Sequence, residues 1–242
     1  MLHVIITGVS QGLGEALARE LLARGARVLG IGRRSSPRLA SDAFRFVECD
    51  LADVTRLPAI VTPAFDDIAS HEPRAVCLVN NAATLDPVGV IGATEAVAIA
   101  RSVCVNLTAP IVLASLFCRS FTNDAVERRI VNVSSGAAQS AIAGESLYSI
   151  GKAGLEMLTR ALAAERPSRS LRAITLRPGI IDTPMQAFAR SQARERLPSV
   201  DLFQGFHKAG QLVPPDVVAR KVIDRLVLGP IEHGRTYSYA EL

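Results

Sequence analysis

Residues 2–14 read L-H-V-I-I-T-G-V-S-Q-G-L-G, an apolar run that leads directly into a loop with three glycines. The apolar run predicts a buried strand, and a helix is expected at about 12–24. Glycines permit a tight turn and let backbone amides approach a pyrophosphate at a helix N-terminus. A strand, glycine loop and helix in this order favour a dinucleotide-binding unit over the alternative, a glycine-rich turn that binds nothing.

The rest of the chain continues this alternation of strands and helices. Because Pro58 and Pro63 interrupt the segment after the third strand, any helix there is expected to be broken or short. Short apolar strands between helices predict an α/β fold, a Rossmann-type doubly wound parallel β-sheet with helices on both faces, in one domain spanning 1–242. The expected strands are 2–7, 27–31, 44–49, 75–79, 129–133 and 171–176, and the longer helices are 12–24, 94–122 and 146–165.

Composition excludes several classes of protein. Apolar residues make up 49% and charged residues 21% of the 242, which argues against a disordered chain. A net charge of +4 is too small and too scattered to indicate nucleic-acid binding. Scattered cysteines and histidines predict reduced thiols and no metal site. No signal peptide and no apolar run of about 20 residues is recognised, so we expect a cytoplasmic protein without a membrane segment.

Several short motifs follow the later strands. Asp50-Leu51 comes after the third strand, Asn80-Asn81-Ala82 after the fourth, and V-N-V-S-S ends at Ser135. Asn106 lies in V-N-L-T, Tyr148 and Lys152 form Y-x-x-x-K, and 178–183 reads P-G-I-I-D-T. With the G-x-x-x-G-x-G spacing after Thr7, these motifs resemble the short-chain dehydrogenase/reductase family. Ala83 departs from the family's N-N-A-G.

The resemblance implies a set of site residues. In the family, Asp50-Leu51 would contact the adenine, Lys152 the nicotinamide ribose, and Ile181 the carboxamide through its backbone. Asn106 would hold a water that links Lys152 to solvent, and Thr183 would lie near the pyrophosphate. The implied catalytic residues are Asn106, Ser135, Tyr148 and Lys152. The expected cofactor-binding residues are Thr7, Gly8, Ser10, Gln11, Gly12, Leu13, Gly14, Arg33, Arg34, Asp50, Leu51, Asn80, Asn81, Ala82, Tyr148, Lys152, Pro178, Gly179, Ile181 and Thr183.

Tyr148 and Lys152 predict a proton-transfer pair. Residues four apart lie on one face of a helix, so the phenol and the ammonium can flank one ligand. The cation is expected to lower the tyrosine pKa, and Tyr148 would then protonate a carbonyl oxygen that Ser135 orients. Ser134 should point to the opposite face, and the family interval to Tyr148 selects Ser135. Taken singly, each of these residues is also explained by an ordinary structural role in a helix, at a strand end or in a turn.

The end of the second strand predicts the cofactor. An NAD site usually has an acidic residue here for the ribose 2′-hydroxyl, whereas this chain has Gly32, Arg33 and Arg34. An arginine can bind a 2′-phosphate through charge-assisted hydrogen bonds. We therefore expect NADP(H); the alternative is a solvated arginine pair.

The sequence from about residue 134 onward indicates the kind of reductase. The chain lacks the V-D-G-G ending of many family members, including the 3-oxoacyl-carrier-protein reductases. From about 134 to 190 it resembles sepiapterin reductases and microbial benzil reductases, in which case the substrate would be a small-molecule diketone or ketone. Glu241 would then be the counterpart of the carboxylate that anchors the pterin. A 3-oxoacyl-carrier-protein reductase and a non-catalytic NADP-binding regulator remain the alternatives.

Two surfaces have further expected roles. The irregular stretch 184–213 is expected to cover the substrate, with Met185, Phe188, Phe203 and Phe206 either lining a pocket or tying the stretch to the core. The helix at 94–122 is apolar on more than one face, at Val103, Leu107, Ile111 and Leu116. This pattern predicts a homodimer, and the resemblance implies the same, because members of the family commonly dimerise through this helix and the next.

Overall fold

A seven-stranded parallel sheet forms the centre of the computed structural model, which describes residues 1–166 and 170–242. The strand order is β3-β2-β1-β4-β5-β6-β7, so the chain reverses direction across the sheet between β1 and β4. Every adjacent pair is parallel. The strands are β1 Leu2–Thr7, β2 Arg27–Gly32, β3 Phe44–Glu48, β4 Ala75–Asn80, β5 Glu127–Val133, β6 Leu171–Arg177 and β7 Thr236–Ser238. The predicted fold class is confirmed.

Helices cover both faces of this sheet and create two apolar cores. One core joins α1 and α8 to the strands through residues such as Leu17 and Val218. The other joins α2 and α4 to the opposite face, where Phe65, Phe117 and Phe121 pack with ring centroids 4.8–6.4 Å apart. The helices are α1 Gly12–Ala23, α2 Leu57–Ser70, α3 Ala96–Val103, α4 Ala109–Ser120, α5 Ser146–Glu165, α6 Pro184–Arg190, α7 Val200–Lys208 and α8 Pro215–Val222.

The expectation of a broken helix after β3 is wrong, because α2 runs unbroken for 14 residues. Pro58 lies in the first turn, where a backbone N–H has no helical partner in any case. Pro63 lies inside the helix on its exposed side. Burial of Leu57, Val61 and Phe65 on the other side outweighs the hydrogen bond that Pro63 removes.

The predicted long helix is present as a continuous helical segment, Ala96–Ser120, in which α3 and α4 are joined by a π turn at Cys104–Thr108. Its 25 residues are apolar enough, by length and composition, to cross a membrane, so the expectation that no run reaches this length is wrong. Within the fold, Leu113 and Phe117 are fully buried against the sheet and α2. Elsewhere the segment exposes apolar side chains, among them Val97 and Ile111.

The stretch after β6 is more regular than its sequence suggests. It forms two short helices, α6 and α7, and Val213 then pairs with Ile181 in a parallel bridge. Leu197 and Val200 pack in a small third cluster with Leu85 and Val88. This cluster fixes the stretch over the carboxyl edge of the sheet, where folds of this class bind ligands.

Candidate active site

A single cleft of about 790 Å³ lies at the carboxyl edge of the sheet and contains most of the residues that the sequence motifs indicated. The segments that follow β1 to β6 form its walls, and α6 and α7 close one side. The predicted site residues that line it are Gly8, Ser10, Gln11, Gly12, Leu13, Arg33, Arg34, Asp50, Leu51, Asn81, Ala82, Ser135, Tyr148, Lys152, Pro178, Gly179, Ile181 and Thr183. Thr7, Gly14, Asn80 and Asn106 lie outside the lining.

The glycine loop is shaped for close approach of backbone to a ligand. Gly8 has φ +75°, and a side chain there would lie 3.0 Å from Ala82. Gly14 packs so tightly that an added Cβ would lie 2.2 Å from the Gly8 carbonyl oxygen. Gln11 begins α1 without a side-chain cap, so the first amides of the helix are not taken up by a capping side chain. This loop fits the pyrophosphate of a dinucleotide, which binds such amides.

Hydrogen bonds of Thr7 and Asn81 fix the position of the glycine loop. The Thr7 hydroxyl accepts hydrogen bonds from the backbone N–H groups of Asn81 and Ala82 at 3.0 and 2.9 Å. The Asn81 amide donates to the carbonyls of Thr7 and Gly8 at 2.9 and 3.2 Å. Asn80 is buried deeper and donates to the Asn132 side chain at 2.8 Å, between β4 and β5. Thr7 and Asn80 therefore support the site without lining it.

Three of the predicted catalytic side chains lie together in the cleft. Ser135 follows β5, and its hydroxyl faces the phenol of Tyr148, in the first turn of α5, closely enough to lower the pKa of that phenol. Lys152, one turn later, is buried, and its ammonium lies 5.4 Å from the centre of the Tyr148 ring. The ammonium donates to the Val133 carbonyl at 2.7 Å. The Ser134 hydroxyl donates to the Lys152 carbonyl at 3.2 Å and to the Glu156 carboxylate at 3.0 Å, so α5 already engages it.

The expected lowering of the Tyr148 pKa is wrong, because burial raises this pKa more than its neighbours lower it. Burial raises the pKa of Tyr148 to about 12; the Ser135 hydroxyl lowers it less, and the nearby Glu145 carboxyl adds to the rise. Burial also lowers the pKa of Lys152 to about 7, so this lysine is only partly charged at neutral pH. Tyr148 is consequently a protonated phenol at neutral pH, the form that donates a proton to a carbonyl oxygen.

Asn106 acts structurally in this arrangement. It lies in the π turn of the long helix, and its side chain both accepts from the Thr84 N–H and donates to the Thr84 carbonyl, each at 2.9 Å. It also donates to the Ser102 hydroxyl at 3.2 Å. An added Cβ on Gly151 would lie 2.7 Å from Asn106, so α5 packs closely against this turn. The expected link from Asn106 through a water to Lys152 stays a prediction.

The far end of the cleft holds the two arginines. Arg33 and Arg34 are exposed, and neither guanidinium lies within 4 Å of a carboxylate among residues 1–166 and 170–242. Asp50 faces the same space, and Arg101 from α3 donates to it at 2.9 Å. Sequence reasoning did not identify Arg101, because no local pattern indicates a partner 51 residues away.

The other end of the cleft is apolar. Met185, Phe203 and Phe206 line it, as one of the two alternatives for this stretch required. Phe188 does not line the cleft and packs in the third cluster instead. Glu241 is also outside the lining: its carboxylate accepts from the Ser238 N–H at 3.3 Å in a carboxyl-terminal turn. The expected counterpart of a pterin-anchoring carboxylate is therefore not in the cleft.

Known proteins are similar to this chain in sequence over most of its length. The sequence model of a family described as short chain dehydrogenase matches residues 2–194. The (S)-benzoin-forming benzil reductase of Bacillus cereus is 34% identical over 230 residues, 92% of each chain. The sepiapterin reductase of Meriones unguiculatus is 30% identical over 251 residues, 95% of this chain and 93% of its own.

A solved structure adds a comparison of the fold. The crystal structure of a short chain dehydrogenase from Burkholderia cenocepacia in complex with NADP has a TM-score of 0.76 and 27% sequence identity to this chain. The match covers 97% of this chain and 94% of that one. The two folds therefore correspond over nearly the whole of both chains.

Proposed function

The chain belongs to the short-chain dehydrogenase family, and on that basis we propose that it is an NADP(H)-dependent carbonyl reductase that converts a vicinal diketone or related ketone to an alcohol. The observation that carries the proposal is the grouping of Ser135, Tyr148 and the buried Lys152 in one cleft whose far end presents two arginines. The benzil and sepiapterin reductases among its relatives support a carbonyl substrate.

The residues of the centre have distinct tasks. When bound, the nicotinamide of the cofactor supplies a hydride to the carbonyl carbon. The hydroxyls of Ser135 and Tyr148 donate hydrogen bonds to the carbonyl oxygen, which becomes more negative in the transition state and is therefore stabilised most there. Tyr148 gives up its proton to that oxygen, and the Lys152 ammonium stabilises the phenolate that remains.

The two arginines support NADP(H) over NAD(H). A 2′-phosphate brings two negative charges into a region where Arg33 and Arg34 are exposed and, among the described residues, have no carboxylate within 4 Å. Charge-assisted hydrogen bonds to these guanidinium groups would replace their hydration. The residues at the end of β2, Gly32, Arg33 and Arg34, include no acidic side chain for the 2′-hydroxyl of NAD(H).

Turnover of a small panel of substrates tests the proposal. We expect NADPH oxidation, followed at 340 nm, with benzil or sepiapterin, and a much slower reaction when NADH replaces NADPH. A preference for an acetoacetyl thioester would instead indicate a 3-oxoacyl-carrier-protein reductase. Tight binding of NADPH without turnover of any of the three would contradict the proposal and favour a regulator.

We further propose that the protein is a homodimer through the apolar face of α4 and α5. Ile111 on α4 is 43% exposed and Met157 on α5 is 56% exposed, and α5 packs against the π turn that leads into α4. A second copy that presents the same face would bury both sets of side chains across a two-fold axis.

Light scattering tests the dimer. We expect a mass of about twice 25.8 kDa for the unchanged protein. The double variant Ile111→Asp/Met157→Asp should shift to the monomer mass, because it places charges in the apolar contact. Leu228→Asp is the matched control, since Leu228 is 52% exposed outside this face. A monomeric unchanged protein, or a dimeric double variant, would contradict the proposal.

A further inference from the structure

Glu145 is a buried carboxyl group at the reactive end of the cleft. It begins α5, three residues before Tyr148, and only 3% of it is exposed. It lines the same cavity as Tyr148, Ser135 and Lys152. Its backbone holds the wall of the cleft in place: its N–H donates to Ile142 and its carbonyl accepts from Ser149.

Among residues 1–166 and 170–242, the side chain has no structural task that would explain its burial. It makes no capping hydrogen bond to α5, and its Oε1 atom is buried without a hydrogen-bond partner in this part of the chain. Burial alone raises its pKa, with no contribution from a cation among the described residues. An unpartnered buried carboxyl group is costly, and a ligand that supplies the missing hydrogen bond would relieve that cost.

We propose that Glu145 is the specificity-determining residue that recognises the second carbonyl group of a vicinal dicarbonyl substrate. This inference rests on the proposed reductase function. A substrate whose reacting carbonyl oxygen bonds to Ser135 and Tyr148 places its adjacent carbonyl one carbon away, along the same wall of the cleft. Glu145 lies three residues before Tyr148 and lines the same cavity, so both side chains border the space that such a substrate would occupy.

When protonated, the Glu145 carboxyl can donate a hydrogen bond. A carbonyl oxygen only accepts hydrogen bonds, so Glu145 must be protonated to bind it. Burial raises the pKa of Glu145 to about 7, which keeps a large protonated fraction at neutral pH.

Tyr148 is the titratable neighbour of Glu145 on α5. The other titratable groups that line the cavity are Lys152 and Asp86 nearby and Arg33, Arg34, Cys49, Asp50 and Arg101 toward the β2–β3 end, with Arg196 paired to Asp86 at 3.8 Å.

Benzil and deoxybenzoin form the test pair, because deoxybenzoin is benzil without one carbonyl oxygen. The quantity measured is the ratio of kcat/KM for the two ketones with NADPH. Glu145→Leu removes the donor at similar size and should lower this ratio about tenfold, the effect of one lost hydrogen bond. Glu145→Gln keeps an N–H donor and should hold the ratio within about twofold of the unchanged protein.

The pH dependence provides a second test that needs no apolar variant. The Glu145 carboxyl loses its proton above its raised pKa. The ratio of kcat/KM for benzil to that for deoxybenzoin should therefore fall between about pH 6 and about pH 8.5 in the unchanged protein. Glu145→Gln does not titrate, and its ratio should stay level over this range.

The failure of this inference is distinct from the failure of the proposed function. If the unchanged protein reduces benzil but Glu145→Leu keeps the same ratio, or Glu145→Gln shows the same pH dependence, Glu145 does not recognise the second carbonyl. If the unchanged protein reduces neither ketone nor any other substrate of the panel, the proposed function itself is wrong.

Discussion

Tyr148→Phe is expected to lower kcat for carbonyl reduction by about 10²–10⁴-fold, the usual contribution of a positioned general acid. Removal of the phenolic oxygen leaves the ring packed in the third apolar cluster, so the fold should be kept. The variant loses both the proton donor and one of the two hydrogen bonds to the substrate oxygen. Because the interaction is made mainly in the transition state, kcat should fall much more than KM changes.

Stopped assays with benzil, together with NADPH fluorescence titration, check this result. NADPH should bind to Tyr148→Phe within a few fold of the unchanged affinity, which separates lost chemistry from lost binding. Tyr237→Phe is the matched control, because that phenol accepts a hydrogen bond from the Glu232 N–H far from the cleft. A Tyr148→Phe variant with more than a tenth of the unchanged rate would refute the assigned role.

The second large effect concerns the choice of cofactor. The double variant Arg33→Ala/Arg34→Ala is expected to lower kcat/KM for NADPH by about 10- to 100-fold, the contribution of one or two hydrogen bonds to a charged group. With NADH, which has no 2′-phosphate, kcat/KM should change by less than about threefold. Preference for NADPH should therefore be reduced or lost.

Salt and a control arginine sharpen this test. Since the interaction is between exposed charges, the NADPH preference of the unchanged protein should also weaken as ionic strength rises. Arg74→Ala removes one exposed positive charge outside the cleft and should leave the preference unchanged. If kcat/KM falls equally with NADPH and NADH in the double variant, the arginines support the loop and do not bind the 2′-phosphate.

Much of the fold could be predicted because its signals are local. Strand β1 and the glycine loop adjoin in the sequence, and Gly8 and Gly14 lie where only glycine fits. The Tyr148–Lys152 pair is likewise set by a helical repeat of four residues. Such features need no knowledge of distant parts of the chain.

The remaining features depend on tertiary contacts. β7 has only three residues and exists because it pairs with β6. Helix α2 survives Pro63 because its apolar side is buried in the core. The pKa values of Tyr148 and Lys152 follow from burial, which the sequence motif does not reveal. Glu145 belongs to the same group: nothing in G-E-S-L-Y indicates that its carboxyl faces the cleft.

Isotope transfer tests the central claim most directly. The protein is incubated with benzil and NADPH that has deuterium at both C4 positions of the nicotinamide, and the product is analysed by mass spectrometry. A carbonyl reductase gives benzoin with one deuterium on the carbinol carbon, and Tyr148→Phe gives almost none. Binding of NADPH without any deuterated benzoin would contradict direct reduction of this carbonyl by the protein.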